Sequence, residues 1–166
     1  MRRVTIMSVF VCLLSLASSA AGQNKYSGTA QCAKPSAEHK LEIGDRPGHA
    51  FSTSQGTCTY TTPSSFAGVQ AKESRWTDIE EVSENMSTYR GVNIDVMSNG
   101  DKVFARYEGS AAMKNGKLVS AEEKWTLAGG TGKFKALKGT GICKGKGKPD
   151  GTSIWECSGE YQLAAK

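Results

Sequence analysis

The sequence predicts an all-β fold, an eight-stranded antiparallel up-and-down barrel stabilised by disulfides, and three observations predict it. Apolar residues recur with period two rather than 3.6, tight-turn dipeptides punctuate the alternating runs, and four cysteines beyond the N-terminal segment form an even set. No stretch carries the spacing of a substantial helix.

The alternation is clearest in Val92, Ile94 and Val96 against Asn93 and Asp95. It recurs in Val119, Ala121, Trp125 and Leu127 against Ser120, Glu122, Lys124 and Thr126. Period two marks half-buried strands. Strands are predicted over 26–33, 50–61, 69–78, 87–97, 102–113, 117–128, 136–144 and 153–163, with 76–85 continuing as loop beyond the third of them. Asn99-Gly100, Asn115-Gly116 and Asp150-Gly151 supply residues that tolerate positive φ between these runs, and each marks a hairpin. Consecutive strands with short connections close most economically into a barrel, because closure removes the exposed edges. An open sandwich is the alternative. The 19 glycines suit close, curved strands.

Ahead of these strands, Arg2 and Arg3 precede an apolar run from Val4 to Leu16 followed by small residues, the pattern of a secretory signal peptide over 1–22. Cleavage after Ala21 or Gly22 fits equally. The run is too short to span a bilayer, and no second one follows, so the mature chain is expected to be soluble, exported to a periplasm or secreted, and without a transmembrane segment. Cys12 lies inside the apolar core without a small residue before it, which argues against a lipid anchor. Val4, Thr5 and Ile6 do not continue a twin-arginine pattern. Residues 23–166 then form one domain, of a size that buries a single core.

Cys32, Cys58, Cys143 and Cys157 admit three pairings. Cys32 with Cys58 and Cys143 with Cys157 are expected, because each pair would cross a hairpin, one near Asp45 and one near Asp150. Metal binding is disfavoured by the lack of a Cys-x-x-Cys motif and by the spacing of His39 and His49. No metal or cofactor is expected.

Without Arg2 and Arg3 the chain carries 19 basic and 16 acidic residues, a formal charge of +3 that is too small for a nucleic-acid binder. The charge is uneven. Seven lysines and no acid fall between Lys124 and Pro149, with Lys144, Lys146 and Lys148 two apart. A solvated strand face explains them most simply, and a contact with an anionic envelope polymer is the functional alternative.

Leu127-Ala128-Gly129-Gly130-Thr131-Gly132-Lys133-Phe134, followed by Lys138-Gly139-Thr140-Gly141, resembles the barrel superfamily of plant allene oxide cyclases and dirigent proteins. With Asn99-Gly100-Asp101 and with Asp150-Gly151 through Glu156, Gly159 and Tyr161, the chain looks most like exported bacterial allene oxide cyclase-like barrels. The likeness runs from about Gly56 to Tyr161, and its last third is the specific part. It implies an eight-stranded barrel with a cavity, in a superfamily that cyclises or isomerises apolar substrates or orients radicals without a cofactor. It also implies that the barrel can form a homo-oligomer, although no exposed apolar stripe in the sequence marks a contact. No catalytic residue of the plant families maps onto a position here. The glycine-rich segment is not a phosphate loop, since Gly132-Lys133 is followed by Phe134 and Leu127 stands where the first glycine would be.

Strand parity locates the candidate site. On the last strand Trp155, Cys157, Gly159, Tyr161 and Leu163 share a face; on the one before it Leu137, Gly139, Gly141 and Cys143 do. The same parity points Val119, Ala121, Glu123, Trp125 and Leu127 inward, and places Val69, Ala71, Glu73 and Arg75 together. Glu123 and Glu73 are therefore the candidate catalytic carboxylates, since a buried carboxylate has its pKa raised or finds a partner. A structural pairing with Arg75, Arg90 or Arg106 is the simpler expectation for either. Trp125, Tyr107, Trp155 and Tyr161 are the candidate ligand contacts, with core packing as their ordinary role. Three functions are expected: binding of a small apolar molecule inside the barrel, cofactor-free cyclase or isomerase chemistry on an inward carboxylate, or contact of the lysine strip with an anionic polymer. No nucleophile elbow is present, so hydrolase chemistry is not expected.

Overall fold

Period-two patterning becomes ten antiparallel strands in the computed structural model, which describes residues 23–62 and 64–163; the leader expected over 1–22 lies outside them. The strands are β1 (Asn24–Cys32), β2 (Ala37–Glu42), β3 (Ala50–Thr62), β4 (Ser65–Phe66), β5 (Val69–Ser83), β6 (Met86–Met97), β7 (Lys102–Lys114), β8 (Lys117–Gly130), β9 (Leu137–Gly147) and β10 (Ser153–Leu163). Eight of them close a ring in the order β1, β3, β5, β6, β7, β8, β9, β10 and back to β1. The expected barrel is present, and every strand predicted for it is there.

Both disulfides join residues that face each other across neighbouring strands, Cys32 with Cys58 and Cys143 with Cys157. They have the expected pairing. Both lie on inward faces, where they brace the β1–β3 and β9–β10 seams. Two cystines fit an oxidising compartment, and among the described residues no helix is long and apolar enough to cross a membrane.

Two strands were not expected. Beyond Pro35, β2 continues along the edge of β3 that β1 occupies, pairing Ala37 with Gln55 through Glu42 with Ala50. Almost all of β2 is exposed, so no burial alternation marks it in the sequence. The two-residue β4 folds back on β5 and carries Phe66 into the core. A further difference concerns 76–85, expected as loop after strand residues 69–78: β5 runs on to Ser83, paired with β3 on one side and β6 on the other. Outside this extension Leu41 and Phe51 are cross-strand partners, both exposed, an apolar pair that the sequence pattern does not reveal.

One end of the barrel is closed. Phe66 stacks on Tyr26 with ring centroids 4.7 Å apart and meets Tyr161 edge-on at 5.2 Å, and the Ala67 amide donates to the Tyr161 hydroxyl at 2.8 Å. The glycine-rich turn completes this floor. Positive φ at Gly129 and Gly132 lets the chain reverse tightly, and the turn docks on the β6–β7 hairpin: Thr131 exchanges hydrogen bonds with the Lys102 backbone, and its hydroxyl donates to Asp101 at 3.2 Å. Phe134 is thereby buried in one cluster with Phe66, Met97, Val103 and Leu137. The turn is structural, and the carboxylate of Asp101 packed against Gly132 disfavours an anion there.

Candidate functional site

The other end is open. Pro35, Gly116, Lys117, Lys148 and Gly151 line a mouth that leads into a cavity of about 400 Å³ reaching down to Tyr26 and Phe66. Small-molecule sites commonly occupy about 300–1,000 Å³. The interior is a cup.

Aromatic residues are large enough to fill an eight-stranded barrel, so the openness needs a cause. It lies in cross-strand pairing of inward aromatics with glycine. Trp76 faces Gly56, Tyr107 faces Gly91, Tyr89 faces Gly109, Trp125 faces Gly141 and Trp155 faces Gly145. A Cβ at any of these glycines would come under 3.0 Å from an atom of the facing aromatic or, for Gly109, of its hydroxyl. Each side chain therefore leans across its neighbouring strand instead of projecting into the middle. The rings panel the wall and leave the centre free.

Between the panels stands a tier of acids. Glu123 on β8 lies against the Tyr89 hydroxyl of β6, and the Tyr107 hydroxyl of β7 donates to Asp78 of β5 at 3.3 Å. Tyr89 and Tyr107 meet edge-on, 6.1 Å apart. Glu80, next inward on β5, accepts from the buried Ser52 hydroxyl at 3.4 Å. Burial pushes the Glu123 carboxyl up to about 7, and the nearby Asp78 charge adds to that. Asp78 is pushed up to about 6, by burial first and by Glu80 second. Deeper, Asp95 accepts from the Tyr60 hydroxyl at 2.7 Å and from the Asn93 amide at 3.0 Å; burial still raises its pKa above the usual range. Burial likewise pushes the Tyr26 phenol up to about 12 and the Tyr60 phenol well above its ordinary value, with the Asp95 charge the second cause in each. The Trp125 indole N–H and the Tyr89 hydroxyl are enclosed without a well-formed hydrogen bond among the described residues.

Of the residues predicted for the site, Glu123, Trp125, Tyr107 and Trp155 line the cup. Tyr161 does not: it is a floor residue, holding Phe66 and the Ala67 amide. Glu73 is also displaced. A register shift between Ala71 and Glu73 reverses the parity of β5, so Glu73 points out and pairs with Arg75 at 2.6 Å. Val119 is exposed for a related reason, a shift between Ala112 and Met113 that turns Leu118 inward instead. Glu123 finds tyrosines and an aspartate, and none of the arginines considered as partners.

Asp78, Glu80, Asp95, Tyr89 and Trp76 were missed. A signal for three of them is in the sequence, since Ser74, Trp76, Asp78 and Glu80 alternate with Arg75, Thr77, Ile79 and Glu81 once counting starts after the bulge. Among the described residues no three His, Cys, Asp or Glu side chains are grouped to hold a metal ion. His49 instead bridges Asp45 and Glu81, at 2.5 and 3.0 Å.

The lysine strip points outward and is of mixed charge. Lys144 stands between Glu122 of β8 and Glu156 of β10, and Lys124 opposes Glu108 of β7. No protein-family model matches the sequence, and no curated protein matches it.

Proposed function

We propose that the chain is an exported β-barrel protein that binds a small, largely apolar molecule in its cup. The observation that carries this reading is the set of aromatic panels laid over glycines, which keeps about 400 Å³ open beneath a single mouth. A packed scaffold has no use for such pairing, because leucine or isoleucine at the same positions would fill the space and stabilise the fold. The leader-like N-terminus, the two cystines and the likeness to allene oxide cyclase-like barrels support the same reading.

The test is titration of the oxidised protein with the neutral fluorescent probe N-phenyl-1-naphthylamine. Saturable one-to-one binding is expected, and Ala111→Phe, which places a ring on the inner wall below the mouth, should weaken it at least tenfold. Absence of saturable binding would refute the proposal.

One observation favours a second reading, a cofactor-free cyclase or isomerase. Glu123 lies on the cavity wall with a pKa near neutrality, where a carboxyl both takes and returns a proton. On that reading Glu123→Gln abolishes turnover of an apolar epoxide or polyene substrate. The anionic-polymer reading lacks a continuous cationic strip, because Glu122, Glu156 and Glu108 interrupt the lysines.

A further inference from the structure

Taking the ligand-binding reading as given, we infer that the cup selects an organic cation: an aromatic amine whose ring lies between the panels and whose ammonium group sits on the Glu123–Asp78 tier. The sign of the wall carries this. Glu123, Asp78, Glu80 and Asp95 all line the cavity. The cationic residues that line it, Lys117 and Lys148, stand at the rim, and the Lys117 ammonium is turned to the Pro149 carbonyl at 3.3 Å. Among the described residues none of the four interior acids is in a salt bridge. Four carboxyl groups in one cavity without a cation are costly as anions, so each either holds a proton, as burial favours, or gains a positive charge from a bound cation.

The aromatic surroundings fit the same ligand. Tyr89 and Tyr107 stand beside the acids, and Trp125 is the next inward residue on β8 after Glu123. Their ring faces carry negative potential and attract a cation in a desolvated site. A carboxylate-bearing ligand would meet like charge on the same tier, which excludes it more strongly than a neutral one.

The experiment compares three probes of one shape by isothermal titration at pH 7.5 and low salt: 2-(1-naphthyl)ethylamine, neutral 1-propylnaphthalene and anionic 3-(1-naphthyl)propionate. The amine should bind at least tenfold more tightly than the neutral probe, and the anion more weakly than either. Glu123→Gln and Asp78→Asn should each remove most of the amine's advantage, whereas Glu122→Gln, on the outer face of the same strand, should leave it unchanged. Circular dichroism and thiol titration confirm that each variant is folded and oxidised. Equal binding of amine and neutral probe, or preference for the anion, would overturn the cation inference while sustaining the ligand-binding reading. Failure of all three to bind would overturn both.

Discussion

Glu123 and Asp78 hold protons in the folded barrel that the unfolded chain gives up, and this fixes the sign of their contribution to stability. With folded pKa values raised to about 7 and about 6, their contribution is fully present below the unfolded values near 4 and is lost as pH rises through the folded ones. His49 acts in the same direction, since carboxylates at both ring nitrogens raise its pKa and its stabilisation is lost as pH rises through the folded value. Asp45 opposes them, its pKa being lowered chiefly by the hydrogen bond to His49, and its contribution is lost as pH falls. The melting temperature should therefore decline between pH 5 and pH 8, and Glu123→Gln should flatten that decline. A second expectation concerns Gly91, where a methyl group would collide with the Tyr107 ring and the Thr77 carbonyl. Gly91→Ala should destabilise by about 1–3 kcal/mol in denaturant unfolding, through overpacking of a tight wall.

Cross-strand bonding sets the behaviour of the elements. Cys32–Cys58 closes a sequence separation of 26 residues and Cys143–Cys157 one of 14. Loop-closure entropy assigns about 3 kcal/mol to each, slightly more to the first, so paired Cys→Ser replacement should lower the unfolding free energy by about that much in either case. The barrel strands were legible because one face of each is dry and the other wet, which period two records directly. The pattern fails where both faces are wet, as on β2, or where a bulge reverses parity, as at Lys72 in β5 and at Val119 in β8. That is why Glu123, downstream of its bulge, was placed correctly and Glu73, at its bulge, was not. Asp78 and Glu80 escaped because acids in a run beside Glu81 read as solvated loop, although burial by facing strands makes them wall. Tyr161 faces inward as parity requires, but parity says nothing of height along the barrel, and its height puts it in the floor.

At the scale of the whole molecule the chain is a cup: floor closed by Phe66, Tyr26 and Phe134, wall panelled by aromatics over glycines, acids at mid-height and lysines at the rim. Its stability comes from the floor cluster, the closed hydrogen-bonded ring and the two cystines, which lets the upper wall carry buried acids. The measurement that tests this most directly is a high-resolution crystal structure of the oxidised protein bound to N-phenyl-1-naphthylamine. The account predicts the probe inside the barrel, in contact with Trp125, Tyr107 and Trp76, with the rings still lying across Gly141, Gly91 and Gly56. An interior filled by inward-turned tryptophans, or a probe bound only on the outer surface, would contradict it.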